Sequence, residues 1–494
     1  MKINRISSYL RWRSPILQPM SALFRYMSLL LLLMPASGCR HESVPPPPDV
    51  LFIVVDDLND WVGCLGGRAG VHTPNLDSLA AGAMLFTNAH CTAPSSAPSR
   101  TSVLTGVSPS TSGIYSDDND WRESPMLDTL MNLPGYFKNA GYEVKGAGKI
   151  FHALTWTQSG YGLDQNDPEL WDTYYPSKTR SLPVEKWPPG YRSDSLGTII
   201  WPAVAGAETS NRPPGFFDWG PLGSVEEYAD HKVIDWAIGE LKKRSRKPQF
   251  LAVGLFRPHI PWFAPQEFFD LYPLDSIELP KIKKDDLRDV SKAALPWLRR
   301  DWHNWIVENG FWKEAVRAYL ASISYSDYQL GRLLDALRES GRMENTIIVL
   351  WSDHGMHLGE KEQWEKFTLW EESTRVPLII RVPGMKPGSC KEAVSLLDIY
   401  PTLAELSGGI LPAHLEGISL VPLIDCPTLT RNEPAITTFH EGNHAVRTER
   451  WRYIRYNNGD EELYDHRNDP NEFLNLARDP QYRKIMVELG GWLR

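Results

Sequence analysis

Cysteine is scarce in this chain, five in 494 residues. That excludes a small scaffold built on disulfides, where cysteine exceeds roughly 8–10%. Cys64, Cys91, Cys390 and Cys426 show none of the paired spacings that hold zinc, leaving one disulfide candidate, Cys390 with Cys426. Positive charge is also in deficit: 52 Lys and Arg stand against 61 Asp and Glu, for a net charge of −9. A nucleic-acid binder needs the opposite balance. Any anionic ligand must therefore be drawn by a few placed cations and not by the overall field. Long apolar runs are missing too. The longest, "MSLLLLLMPA", falls short of the roughly 20 residues that span a bilayer. No internal repeat is visible.

What is present begins with an export pattern. Basic residues up to Arg25, that short apolar run and then "SGC" read as a leader over 1–39. Cys39 resembles the lipidated cysteine of a bacterial lipoprotein, with Ala36 standing where Leu is usual; a soluble secreted protein cut nearby is the alternative. The expectation is an exported chain, periplasmic or anchored to the outer membrane through Cys39. A proline-rich tether follows over 40–48. The length suits a large domain over 49–425 and a small one over 426–494, where "HAVRTERWRYIRY" and "EELYDHRNDPNEFLNLA" read as antiparallel strands followed by a short helix. Residues 155–225, rich in Pro, Trp and Gly, read as an insertion over the active-site edge.

Between these ends, short apolar runs alternate with helical patterns, predicting an α/β fold whose large, mostly parallel sheet is sandwiched by helices. "VLFIVV" (50–55) has the continuous β-branched character of a strand buried on both faces, and it stops at Asp56-Asp57. "NTIIVLW" (345–351) stops at Ser352-Asp353-His354, "FLAVGLF" (250–256) at Arg257-Pro258-His259, and "YEVKGAGK" (142–149) leads to Lys149 and His152. Open α/β sheets bind ligands at the carboxyl ends of their strands. One Asp there is usually a helix cap. Asp56, Asp57 and Asp353 gathered at one edge repel each other unless a cation lies between them, and their hard oxygens suit calcium or magnesium, with His354 as a softer donor.

"SSAPSRTSVLTG" (95–106) supplies the other half. Ser96 falls at the mouth of a helix, where free N–H groups favour an anion, and Arg100 lies one turn further in. An ordinary N-cap explains Ser96 equally well. With Lys149, His152, His259 and Lys366, these residues describe a pocket for a tetrahedral oxyanion, a sulfate or a phosphate ester.

The chain resembles the sulfatase family of the alkaline-phosphatase-like superfamily. "SAPSRTSVLTG" is similar to the family signature in which a Cys or Ser before x-Pro-Ser-Arg becomes formylglycine, and "IVVDDLND", "HTPNLDSLA", "FRPHIPW" and "WSDHGMHLGE" fall in the family's order. "GKIFH", "RPHIPW" and "IYSDDNDWRE" resemble iduronate 2-sulfatase-like members. The resemblance implies a small C-terminal sheet domain and one calcium ion on Asp56, Asp57, Asp353, His354 and the formylglycine at Ser96. It implies Arg100 and Lys149 on that group and Lys366 and His259 on the sulfate; His152 would take the proton that releases product. The nucleophile is of the serine type, which implies a bacterial maturase acting before export; Cys91 lies five residues too early to replace it. The implied substrate is a 2-O-sulfated uronic acid of a glycosaminoglycan or algal polysaccharide, with Trp121, Arg122 and Trp364 as candidate contacts. Two rivals stand beside this: a phosphatase or phosphodiesterase using Ser96 directly, and a lipoprotein that binds sulfated glycans without cleaving them.

Overall fold

The computed structural model describes residues 47–153, 164–185, 192–193, 199–200 and 217–493. The leader, Cys39, most of the tether and much of the 155–225 insertion lie outside these residues. No helix among the described residues is long and apolar enough to cross a membrane.

The main sheet is built from β1 (Asp49–Val55), β2 (Met84–His90), β3 (Glu143–Gly148), β4 (Thr173–Tyr175), β5 (Gln249–Leu255), β6 (Thr346–Ser352), β7 (Arg375–Arg381), β8 (Gly388–Cys390) and β9 (Val394–Ser395). Their order is β8-β2-β7-β6-β1-β5-β3-β4, with β9 also on β2. β1 lies at the centre, parallel to β6 and β5, and β3 continues parallel from β5. β7 alone is inserted antiparallel, between β6 and β2. Consequently β1, β2, β3, β5 and β6 all end at one edge.

Period-2 alternation sorts the core into two layers. Leu51, Ile53 and Val55 of β1 face one side, packed with Val233, Ile234 and Ala237 of α1 (Ala229–Leu241) and Tyr319, Leu330 and Leu333 of α2 (Trp312–Glu339). Val50, Phe52 and Val54 face the other, against Val103 and Leu104 of the Ser96–Thr105 helix and Leu403 of the helix Ile399–Leu406. Each such side chain withdrawn from water contributes about 1.5–3 kcal/mol, so the central strands are anchored from both faces.

A second, antiparallel sheet of four strands runs Ala435–Thr438, His444–Arg447, Trp451–Arg455 and Glu461–Asp465, and a helix follows at Arg483–Gly490. It belongs to the same compact body, Pro47–Arg494. Thr438 N–H donates to the Thr92 carbonyl at 2.8 Å, which joins the first of these strands to the segment leading to Ser96. The expected disulfide is absent: Cys390 is buried where β8 pairs with β2, Cys426 is exposed beyond a short helix, and both thiols are free.

Candidate active site

Asp56, Asp353 and His354, from two of the strand ends named from the sequence, meet at Ser96. Ser95 takes the N-cap position and Ser96 the first turn of its helix, all of whose residues are buried. The Ser96 hydroxyl donates to Asp353 Oδ2 at 2.7 Å and lies 3.3 Å from Asp56 Oδ1 and 3.0 Å from His354 Nε2. Asp56 and Asp57 continue from β1, Asp353 and His354 from β6, and Lys149 from β3. All five side chains are buried.

The cations are bound to the carboxylates. Arg100 spans two of them, Nε on Asp353 Oδ2 and Nη2 on Asp56 Oδ1, both at 2.8 Å, while its Nη1 donates to the carbonyls of Lys149 and Ile150. The sequence reading aimed this guanidinium at an incoming anion; its fork is instead filled by the protein's own oxygens. Lys149 Nζ sits 2.5 Å from Asp56 Oδ2, and Lys366 Nζ 2.9 and 3.0 Å from the two oxygens of Asp57. Burial pushes the Asp56 carboxyl upward, but Lys149 and Arg100 outweigh it and hold the group far below the carboxylate range. At Asp57 burial wins: Lys366 opposes it, Asp56 and Asp353 reinforce it, and the carboxyl is held well above its ordinary value.

Three histidines complete the ring. His354 Nδ1 lies 3.1 Å from the Gly355 carbonyl, so the N–H sits there and leaves the Nε2 lone pair facing Ser96. His259 Nδ1 is held in the same way by the Ile260 carbonyl at 2.6 Å, with Nε2 3.8 Å from Asp57 Oδ2. His152 is buried, among the described residues neither of its ring nitrogens is hydrogen-bonded, and burial lowers it to about 4. Its nearest charged group is Asp117, 4.0 Å away, which accepts a hydrogen bond from Ala97 N–H.

Lys366 is fixed by unusual backbone. Glu365 (φ 70°) and Phe367 (φ 72°) on either side of it are both left-handed, a conformation that costs a non-glycine residue of order 1–3 kcal/mol. Asp57 (φ 57°) is left-handed as well. The rest of the fold holds these residues in place, and the lysine is thereby aimed at Asp57.

The donor set fits a divalent cation. The ligand atoms of Asp57, Asp353 and His354 lie within 4.8 Å of one another, and so do those of Asp56, Asp57 and His259. Three carboxylates around a hydroxyl, with one aimed imidazole, form the oxygen-rich site that hard cations prefer.

Of the three candidate substrate contacts, Trp364 and Trp121 are corrected because both are buried, while the Arg122 side chain is exposed. Trp364 is fully buried among Phe217, Trp262 and Trp312. Trp121 is buried, stacked on Phe151, and its N–H is used by the Gln165 carbonyl. Arg122 is paired with Asp120 and the Asn166 carbonyl. Next to Lys366, sequence reasoning passed over Glu365, Arg299 and Asp117. None of them lies at the end of a main-sheet strand, and only a run of acids in "SDDND" hinted at Asp117.

Residues 48–410 match the Sulfatase family and residues 359–494 match "N-sulphoglucosamine sulphohydrolase, C-terminal". A sulfatase of Formosa agariphila is 39% identical, covering 90% of this chain and 85% of its own. Human iduronate 2-sulfatase is 34% identical, covering 76% and 72%. A solved 2-O GAG sulfatase shares the fold with a TM-score of 0.64 at 22% identity over 90% of each chain. The strand-end residues thus lie within a match that runs through most of the sequence, and the chain belongs to the sulfatase family.

Proposed function

We propose that this sulfatase removes sulfate from a sulfated saccharide, a 2-O-sulfated uronic acid of a glycosaminoglycan or algal polysaccharide, using a formylglycine made from Ser96 and one calcium ion. The observation that carries the reading is the Ser96 oxygen, 1% exposed and enclosed by Asp56, Asp353 and His354 beside Lys149 and Lys366. The likeness to iduronate 2-sulfatase supports the uronate. A hydrated formylglycine supplies a nucleophile with a second hydroxyl for product release, and a calcium ion on Asp56, Asp57, Asp353 and His354 supplies the charge that favours its ionised form.

The chain's own groups do the rest. Lys149 and Lys366 bring positive charge to the floor where the sulfuryl oxygens must lie. Burial, with Lys366 and Lys149 adding, keeps the His259 imidazole neutral in the free site. An arriving sulfate ester offsets that repulsion, so that His259 Nε2 takes up a proton from solvent as the ester binds and then delivers it to the departing sugar oxygen. His152, buried and low in pKa, is free to accept a proton at the other side. His259→Ala is expected to slow a sugar sulfate about 100-fold more than 4-nitrophenyl sulfate, whose leaving group needs no acid. Equal losses would remove His259 from this role.

The leader and Cys39 support an exported, lipid-anchored protein matured by a serine-type maturase before export. The deciding experiment is the mass of the peptide spanning Ser96, from protein made beside such a maturase, together with sulfate and phosphate release from matched aryl esters. Loss of two hydrogens with sulfate release supports the proposal. Unmodified serine in active, phosphate-releasing protein points to the phosphatase. Glycan binding without turnover, retained in Ser96→Ala, points to the binding lipoprotein.

A further inference from the structure

Beside the catalytic floor one cation remains partly unused. Arg299 lies just before the helix Arg300–Glu308, and its side chain is 45% exposed. Its Nε is fixed on Glu365 Oε2 at 3.1 Å, its backbone N–H donates to Gln363 Oε1 at 2.6 Å, and Gln363 in turn donates to the Lys366 carbonyl. Among the described residues, neither Nη atom has a hydrogen-bond acceptor. This differs from Arg100, whose fork is filled by Asp56, Asp353 and two carbonyls.

The position of this arginine relative to the floor is set by one ring. Arg299 Cζ and Lys366 Nζ each lie 5.6 Å from the centroid of Phe367, which is itself only partly buried. Both cations therefore border the same aromatic ring. The left-handed backbone at Glu365 and Phe367 fixes both the carboxylate that grips Arg299 and the ring that both cations border. Asp117, 28% exposed and 4.0 Å from His152, also acts on Glu365 and Lys366. Arg299 thus offers an anion a held, planar fork next to the sulfate site, a match for a carboxylate in shape as well as charge.

We propose that Arg299 binds the carboxylate of the sugar whose sulfate is removed, and that Phe367 supports the ring between them. This rests on the saccharide sulfatase reading above. Glu365 is a positioning residue, holding Nε so that the outer edge of the guanidinium is presented.

The test compares a 2-O-sulfated hexuronate with the same saccharide after its carboxyl is reduced to an alcohol, for the unaltered enzyme, Arg299→Ala and Arg299→Lys. The expected result is a preference for the uronate of about 10- to 100-fold in kcat/KM, seated in KM. Arg299→Ala should collapse it toward unity, Arg299→Lys should keep part of it, and thermal unfolding should show both variants folded. Turnover of both sugars without discrimination, or an equal loss on both in Arg299→Ala, overturns the role of Arg299 and leaves the sulfatase reading standing. An unaltered enzyme that turns over an aryl sulfate and neither sugar overturns the uronate substrate together with it.

Discussion

Two buried clusters of charge lie in this molecule, and similar residue types give them opposite characters. At the catalytic floor Asp56, Asp57 and Asp353 crowd together with Arg100, Lys149 and Lys366. At the junction with the C-terminal sheet, Glu371 is gripped by Arg447 and Arg452, and Glu472 by Arg452 at 2.5 Å and His466 at 2.9 Å. Glu371, His466 and Glu472 are close enough together to suggest a metal site. Burial disfavours the charge on each of these glutamates, yet the surrounding cations win at both, holding Glu371 well below the ordinary range and Glu472 at about 2. At Asp57 the same contest is lost. The junction is a closed lock with each carboxylate answered, whereas the floor retains a carboxylate short of positive charge. A cation would relieve the second, whereas the carboxylates of the first already carry arginines.

The sharpest way to break that contrast is to neutralise one carboxylate in each cluster. Asp57→Asn should abolish sulfate release, by more than about 1,000-fold, while stability in calcium-free buffer stays level or rises because like charges are relieved. Glu371→Gln should instead cost about 3–5 kcal/mol in urea unfolding, since it leaves buried arginines unanswered. If Asp57→Asn proves as damaging to stability as Glu371→Gln, the two clusters are of one kind. Next in size is the response to calcium. At 100 times its Kd the ion should stabilise the unaltered protein by about 2.7 kcal/mol and leave Asp57→Asn unmoved; an equal rise in both would place the ion elsewhere. The smallest effect is on pH. Glu472 is lowered from 4.5 to about 2, so its stabilisation is complete above pH 4.5 and is lost as pH falls toward 2. Glu472→Gln should flatten that limb of a stability–pH profile, and an unchanged slope would detach the lock from acid unfolding.

How much of this was legible beforehand depends on the physical signal each residue carries. β1 and β6 announce themselves by unbroken β-branched runs, and polar residues directly after such runs can only lie at the sheet's carboxyl edge. Asp56, Asp57, Asp353 and His354 were therefore readable, and the ordered motifs added the chemistry. Trp364 was misjudged because nearness to Lys366 in sequence says nothing about direction; the left-handed turn at Glu365 separates their side chains, sending the indole into the core. Arg299 was invisible because its relation to Lys366 runs through Gln363 and Glu365, contacts that exist only once the chain has folded. The filled fork of Arg100 was unreadable for a related reason: spacing along a helix does not reveal what stands opposite.

The burial of Ser96 also has a meaning in time. Its partners Asp56 and Asp353 lie 40 and 257 residues away, and Lys366 reaches Asp57 across 309. Contacts of such long range close late, after the loops between them have surrendered their entropy. Until then the serine is an accessible side chain on an open strand of polypeptide, and afterwards it is sealed in. The maturase proposed above would have to finish before the central sheet is complete, so the proposal sets an order of synthesis, modification and folding through the depth of one hydroxyl.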